Sequence, residues 1–212
     1  MVNLEQLPVL YQKYIGQEEN SKWRKDAWER IENIRKSDLD IKVVDIAGIP
    51  VPDINIDVIM SKNEFDFGTA VGANNLLNED TNDRILYNKY LPKLFNSAVL
   101  ENEHNWPVYV SNKQRTVDCV NKLIDYGLKV RGHTLICDRF ARYPSIFETE
   151  YQYNDPPKMH QLALEHITDI GTAFAGMLDN WDVVNEIMQN RVIQNLLGDY
   201  VIVDWFEAAR AA

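Results

Sequence analysis

The feature that most restricts this chain is a change of hydrophobic period that repeats. From Phe65 onward, short apolar runs rich in β-branched residues alternate with longer stretches of 3.6-residue spacing. Phe65 to Val71 reads as a strand, closed by the small-residue turn Gly72-Ala73-Asn74-Asn75. Asp80 to Phe95 reads as a helix, with Ile85, Leu86, Tyr90, Leu91 and Leu94 on its covered side. Ser97 to Glu101 is a second strand. Lys113 to Tyr126 predicts a helix that turns Val117, Val120, Leu123 and Ile124 inward and stops at Gly127. Leu128 to Ile136 is a third strand. A loop of about twenty residues follows, rich in Tyr, Phe, Pro and Arg, a length that suits a functional segment. The spacing then predicts a helix over His160 to Ala175, a fourth strand at Trp181-Asp182-Val183-Val184-Asn185-Glu186, and a last helical run within Val201 to Ala212.

Such alternation implies parallel strands joined by right-handed crossovers. Four units make either an open doubly wound sheet or the first half of a (β/α)8 barrel. No glycine-rich phosphate loop follows any strand, so nucleotide binding has little support. Residues 1–37 form a lead-in and then a helix capped by Ser21, whose face of Trp23, Ala27, Trp28, Ile31 and Ile34 is expected to pack on the rest. In residues 38–62, Leu39, Ile41 and Val43 alternate, as do Ile54, Ile56, Val58 and Met60. A turn at Ala47-Gly48-Ile49-Pro50 separates them, so an accessory β-hairpin is expected ahead of the main domain of residues 63–212.

Polar residues gather at the strand ends. A buried strand has no reason to finish on an unpaired acid, because burying a carboxylate is costly. Yet Glu101 and Asn102 end the second strand, His133 lies late in the third, and Asn185 and Glu186 end the fourth. In a parallel sheet these ends share one edge, where ligands bind in open sheets and barrels alike. Three such groups together favour a functional reading over solvated loop residues. A net charge of -10 argues against a nucleic-acid partner. No apolar run is long enough to span a membrane, and Met1-Val2-Asn3-Leu4-Glu5 lacks the basic start of a signal peptide. Histidines 104, 133, 160 and 166 show no ligand spacing, so neither metal nor cofactor is expected. Cys119 and Cys137 read as buried free thiols.

Four segments carry a resemblance: Phe67-Gly68-Thr69-Ala70, Glu101-Asn102-x-x-x-Trp106, Arg131-Gly132-His133-Thr134-Leu135 and Trp181-Asp182-Val183-Val184-Asn185-Glu186. In order and spacing the chain from about Asp38 resembles the family 10 glycoside hydrolases, the endo-β-1,4-xylanases. Phe206-Glu207-Ala208-Ala209-Arg210 also resembles the helix after their fourth strand. The resemblance implies an α/β fold, the first half of a (β/α)8 TIM barrel, and retaining hydrolysis inside xylan or related β-1,4-linked chains without a cofactor. It makes Glu186 the general acid/base and Asn185 the partner of the sugar 2-hydroxyl. It makes Glu101, Asn102 and His133 ligands of further sugar hydroxyls, in an extracellular setting.

Three positions depart from that pattern. Asn105 stands where the family has Lys, Cys137 where it has Trp, and Asp138 where it has His or Glu. The first removes a cation over the sugar and the second an aromatic wall, so binding should be weaker or altered in shape. The family's nucleophile is a second Glu at the end of the seventh strand, whereas four units are present here. The expectation is therefore an N-terminal part, inactive alone, with its open side covered by a complementary chain or by self-association. The alternative is a non-catalytic carbohydrate-binding or self-associating half-barrel module.

Overall fold

The computed structural model describes residues 16–61, 63–147, 149 and 155–212. The chain divides into two compact units, Met1–Ile59 and Met60–Ala212.

In the first unit, helix α1 spans Lys22–Arg30 and continues as a π-helical turn, Ile31–Arg35. Ser21 occupies the N-cap position, but its hydroxyl makes no capping bond. Within this unit no residue of α1 is buried, and Trp23, Trp28, Ile31 and Ile34 are exposed. The hairpin expected over residues 39–60 is present only as a turn. One antiparallel bridge joins Val44 and Pro50, flanked by bonds from the Asp45 N–H to the Ile49 carbonyl (2.9 Å) and from the Val51 N–H to the Val43 carbonyl (3.1 Å). Asp45 Oδ1 accepts the N–H groups of Ala47 and Ile49, each at 2.9 Å. Pro50 and Pro52 have no N–H to offer a longer ladder, and none of the described residues 38–61 lies in a strand.

The second unit is the α/β domain. β1 is Gly68–Val71, α2 Ala73–Leu77, α3 Asn82–Leu94, β2 Ser97–Leu100, α4 Trp106–Ser111 and α5 Lys113–Asp125. β3 is Lys129–Cys137, α6 Pro156–Ala173, β4 Asn180–Asn185, α7 Val192–Leu197 and α8 Tyr200–Ala211. The four strands are parallel in the order β1-β2-β3-β4, as the alternation predicts and as the first strands of a barrel run. Gly68 pairs with Ser97, Val99 with Arg131 and His133 with Asp182.

Helix starts follow local chemistry. Thr81, Asn112 and Asp155 each accept the N–H three residues on, and Pro156 opens α6 where a missing N–H costs nothing. Gly127, at φ +75°, ends α5: the Leu128 N–H reaches back to the Leu123 carbonyl at 3.1 Å.

The helices cover one face of the sheet. Val71, Ala98, Leu100, Val130 and Val183 point into a core with Leu123, Phe147, Ile167 and Ile170. Trp106 stacks on the buried His166 at 4.3 Å and 5° and meets Phe147 edge-on. On the other face, Gly68, Ala70 and Arg131 are exposed. In a closed (β/α)8 barrel that face would line the interior. Gly132 has a packing reason: a Cβ there would lie 2.1 Å from the Trp181 ring.

Two helices bury a different face from the one expected. In α3, Ile85, Leu86, Tyr90 and Leu94 are exposed, and Asn88 is buried with Leu91. Asn88 donates to the carbonyls of Asn75 (2.8 Å) and Arg84 (3.0 Å) and accepts from the Tyr126 hydroxyl (2.9 Å). This satisfied polar hub fixes the rotation of the helix. In α5, Thr116 and Cys119 join Val120 and Leu123 inside, and Ile124 faces out.

Candidate active site

Parallel pairing carries the ends of β2, β3 and β4 to a common edge. The Glu101 N–H extends the ladder by donating to the Val71 carbonyl at 3.0 Å, and its side chain is then free of the sheet. One turn on, the Asn105 N–H bonds the Asn102 carbonyl at 2.9 Å and α4 begins.

His133 is fixed from two directions. Its Nδ1 lies 2.7 Å from Asp182 Oδ2, and its backbone N–H donates to Nδ1 of His104 at 3.4 Å. Asp182 also accepts from Arg131, through Nη2 and through Nε at 3.0 Å. Partial burial alone would raise the Asp182 carboxyl, but the hydrogen bonds and charges of Arg131 and His133 hold it below the usual carboxylate range. His104 is fully buried, edge-on to Phe174 at 5.3 Å and to Trp181 at 5.0 Å. Burial, and then the neighbouring His133, push His104 down to about 4, so its Nδ1 is a free acceptor at neutral pH.

Glu101 and His133 line one open cavity of about 320 Å³ with Ala70, Val99, Leu100, Arg131 and Asp182. Asn185 and Glu186 end β4 at the same edge, beside Cys137, which pairs with Asn185. Asn102 is exposed in the turn after Glu101 and does not line that cavity. Glu101, Asn102, Asn185 and Glu186 thus lie at or just beyond strand ends, whereas His133 stands mid-strand in β3, and Glu101 and His133 share a cavity. Among the described residues, no group of three or more His, Cys, Asp and Glu is placed to hold a metal.

Glu186 leaves the strand with φ +54°, a conformation that costs a non-glycine residue about 1–2 kcal/mol. Its carbonyl accepts the N–H groups of Gln189 and Asn190, each at 3.0 Å, and its exposed carboxyl projects past the sheet edge. Oε2 accepts from Asn190 Nδ2 at 2.7 Å and lies 3.9 Å from Cys137 Sγ. Burial, with the charge of Glu186, raises the Cys137 thiol.

Asp138 ties this loop to the one after β3. Its fully buried carboxylate accepts the N–H groups of Ile193 (2.8 Å) and Gln194 (3.1 Å) and the Tyr143 hydroxyl, and its carbonyl accepts the Val192 N–H at 3.0 Å. Asp182, His104, Asn190 and this anchoring part of Asp138 belong to the site although no motif in the sequence singles them out for it. Asp182 left one usable signal, an acid in a strand next to the strand that carries Arg131.

Asp182→Ala should release both His133 and Arg131. The expected cost is about 1–2 kcal/mol for lost charged hydrogen bonds at a partly solvated site, read as a lower urea midpoint at unchanged slope. A midpoint equal to that of the unaltered protein would contradict the arrangement.

A family model described as glycosyl hydrolase family 10 matches residues 56–212. The anti-sigma-I factor RsgI6 of Acetivibrio thermocellus is 29% identical over 195 residues, covering 89% of this chain and 24% of that protein. Endo-1,4-beta-xylanase 1 of Arabidopsis thaliana is 26% identical over 183 residues, covering 84% of this chain and 18% of that protein. The crystal structure of xylanase 10B from Thermotoga petrophila in complex with xylobiose superposes with a TM-score of 0.58 at 20% identity, over 68% of this chain and 46% of that one. The chain therefore spans less than half the length of these relatives.

Proposed function

The chain belongs to glycosyl hydrolase family 10, and on that premise we propose that it forms part of an endo-β-1,4-xylanase-type retaining glycosidase with Glu186 as general acid/base. The supporting observation is that Glu101 and His133 line one cavity of a parallel sheet whose last strand ends at Asn185, with Glu186 next. Glu186 protonates the leaving glycosidic oxygen and later takes a proton from water. Asn185 holds the 2-hydroxyl of the sugar being cut, and Glu101, Asn102 and His133 hold hydroxyls farther along the chain. Retaining hydrolysis needs a second carboxyl about 5–5.5 Å from the first. On this reading the nucleophile is supplied by a complementary chain or a second copy. The exposed inner face of the sheet, with β1 and β4 at its edges, is where such a partner or a second copy fits. An extracellular setting suits a polysaccharide substrate, and no helix among the described residues is long and apolar enough to cross a membrane.

A second reading is a module that binds xylan-like chains without cutting them. Asn105 and Cys137 favour it, as does likeness to a protein named as an anti-sigma factor rather than a hydrolase.

Titration with xylohexaose, followed by calorimetry and by amide resonances, separates these ideas. The expected result is millimolar binding that shifts the resonances of Glu101, His133 and Asn185, with no reducing sugar released from xylan by this chain alone. Absence of heat and of shifts removes both readings. Hydrolysis that Glu186→Gln abolishes would show that the second carboxyl is already present.

A further inference from the structure

We propose that Asn190 is the positioning residue for Glu186, holding Oε2 of its carboxyl so that Oε1 is the oxygen that exchanges protons with substrate. The inference rests on the reading of Glu186 as acid/base. Both close partners of the carboxyl approach the same oxygen: Asn190 Nδ2 at 2.7 Å and the Cys137 thiol at 3.9 Å. Asn190 Nδ2 also lies 3.5 Å from Cys137 Sγ, so amide, thiol and Oε2 form a closed triangle. Oε1 has no hydrogen-bond partner among the described residues. An amide N–H has no lone pair to offer a carboxylic proton, so an acid held this way carries its proton on the other oxygen.

The turn makes the contact specific. Left-handed φ at Glu186 folds residues 186–190 back on themselves, and the Asn190 N–H bonds the Glu186 carbonyl at 3.0 Å. The backbone thus sets Asn190 one turn above the acid. Two residues later the chain is anchored, where Asp138 takes the N–H groups of Val192, Ile193 and Gln194. Asn190 sits between a strained residue and a buried anchor, which leaves its side chain few alternative orientations.

The test needs no substrate. In isotopically labelled protein at neutral pH, the Asn190 side-chain amide should resonate downfield of solvated side-chain amides, because it donates to a charged acceptor. Glu186→Gln should move it upfield, and Asn190→Ala should move the carboxyl carbon of Glu186, with backbone resonances of β1 and β2 unchanged in both variants. An Asn190 amide that ignores Glu186→Gln, or a Glu186 carboxyl that ignores Asn190→Ala, overturns the proposal. Absence of sugar binding or hydrolysis would instead count against the acid/base reading and would leave these resonances where they are.

Discussion

Acidification should unfold this protein through two buried histidines. His104 and His166 are buried, and burial is the main reason that their folded values fall to about 4 and about 3 from an ordinary 6.5. His104 feels the charge of His133 as well, and for His166 the nearby Asp169 carboxylate offsets part of the burial effect. A histidine depressed in the fold binds its proton first in the unfolded chain, so the unfolded state gains as pH falls. Above about 6.5 neither residue affects stability. Between 6.5 and 4 each should cost on the order of 3 kcal/mol, and together they rival the whole stability of an ordinary domain. Asp182 works in the same direction, since its depressed carboxylate loses its bonds when protonated. Urea midpoints measured by circular dichroism at pH 7, 5.5 and 4 should fall steeply. His166→Phe, which keeps a ring against Trp106, should remove about half of that fall, and His104→Phe a similar part. A double variant with an unchanged pH slope would refute the assignment.

The second large effect is expected at Gly132. A methyl group there would meet the Trp181 ring at 2.1 Å, far inside van der Waals contact. The ring cannot step aside easily, because it packs against His104 at 5.0 Å and Phe174 at 6.3 Å. Gly132→Ala should therefore cost about 3 kcal/mol or more, at the upper end for an overfilled core. The clash makes a further demand: Trp181→Leu, which removes the ring, should relieve most of the penalty of Gly132→Ala. In a double-mutant cycle the two changes should couple by at least 1–2 kcal/mol, roughly the range seen for residues in contact. Additive effects would mean that the intolerance of Gly132 has another origin.

Much of this was legible in the sequence, for a physical reason. Parallel sheets buried on one face by helices leave long, strongly periodic segments, and β1–β4 with α3, α5, α6 and α8 fall where period and length place them. Topology did the rest for the site: once strands are parallel, Glu101 and Glu186, each just past a strand end, emerge on the same side of the sheet, while His133 stands mid-strand in β3. Short helices escaped notice. At five or six residues, α2, α4 and α7 hold less than two turns, too few for a period to show. The buried face of α3 was misjudged because Asn88 is inside, and hydropathy does not register an amide whose bonds are all made within the fold. The partners of the site residues were hidden for another reason: Asp182 with His133 and Cys137 with Glu186 are set by strand register, which local sequence does not state.

Register has one further consequence. Between His133 and Ile136, β3 contains one residue more than the facing part of β4, and the ladder resumes with Cys137 opposite Asn185. Continued in step from His133 and Asp182, it would have set residue 137 opposite Glu186. The surplus residue is a phase shifter: taken up as a bulge, it leaves Asn185 rather than Glu186 opposite Cys137 across the ladder. Deleting a single position at 134 or 135 would remove the bulge and still leave Cys137 opposite Asn185, because the pairs at His133 and Ile136 would then run in step. The chemistry available at this rim is written partly in the number of residues in a strand, and not only in their kinds.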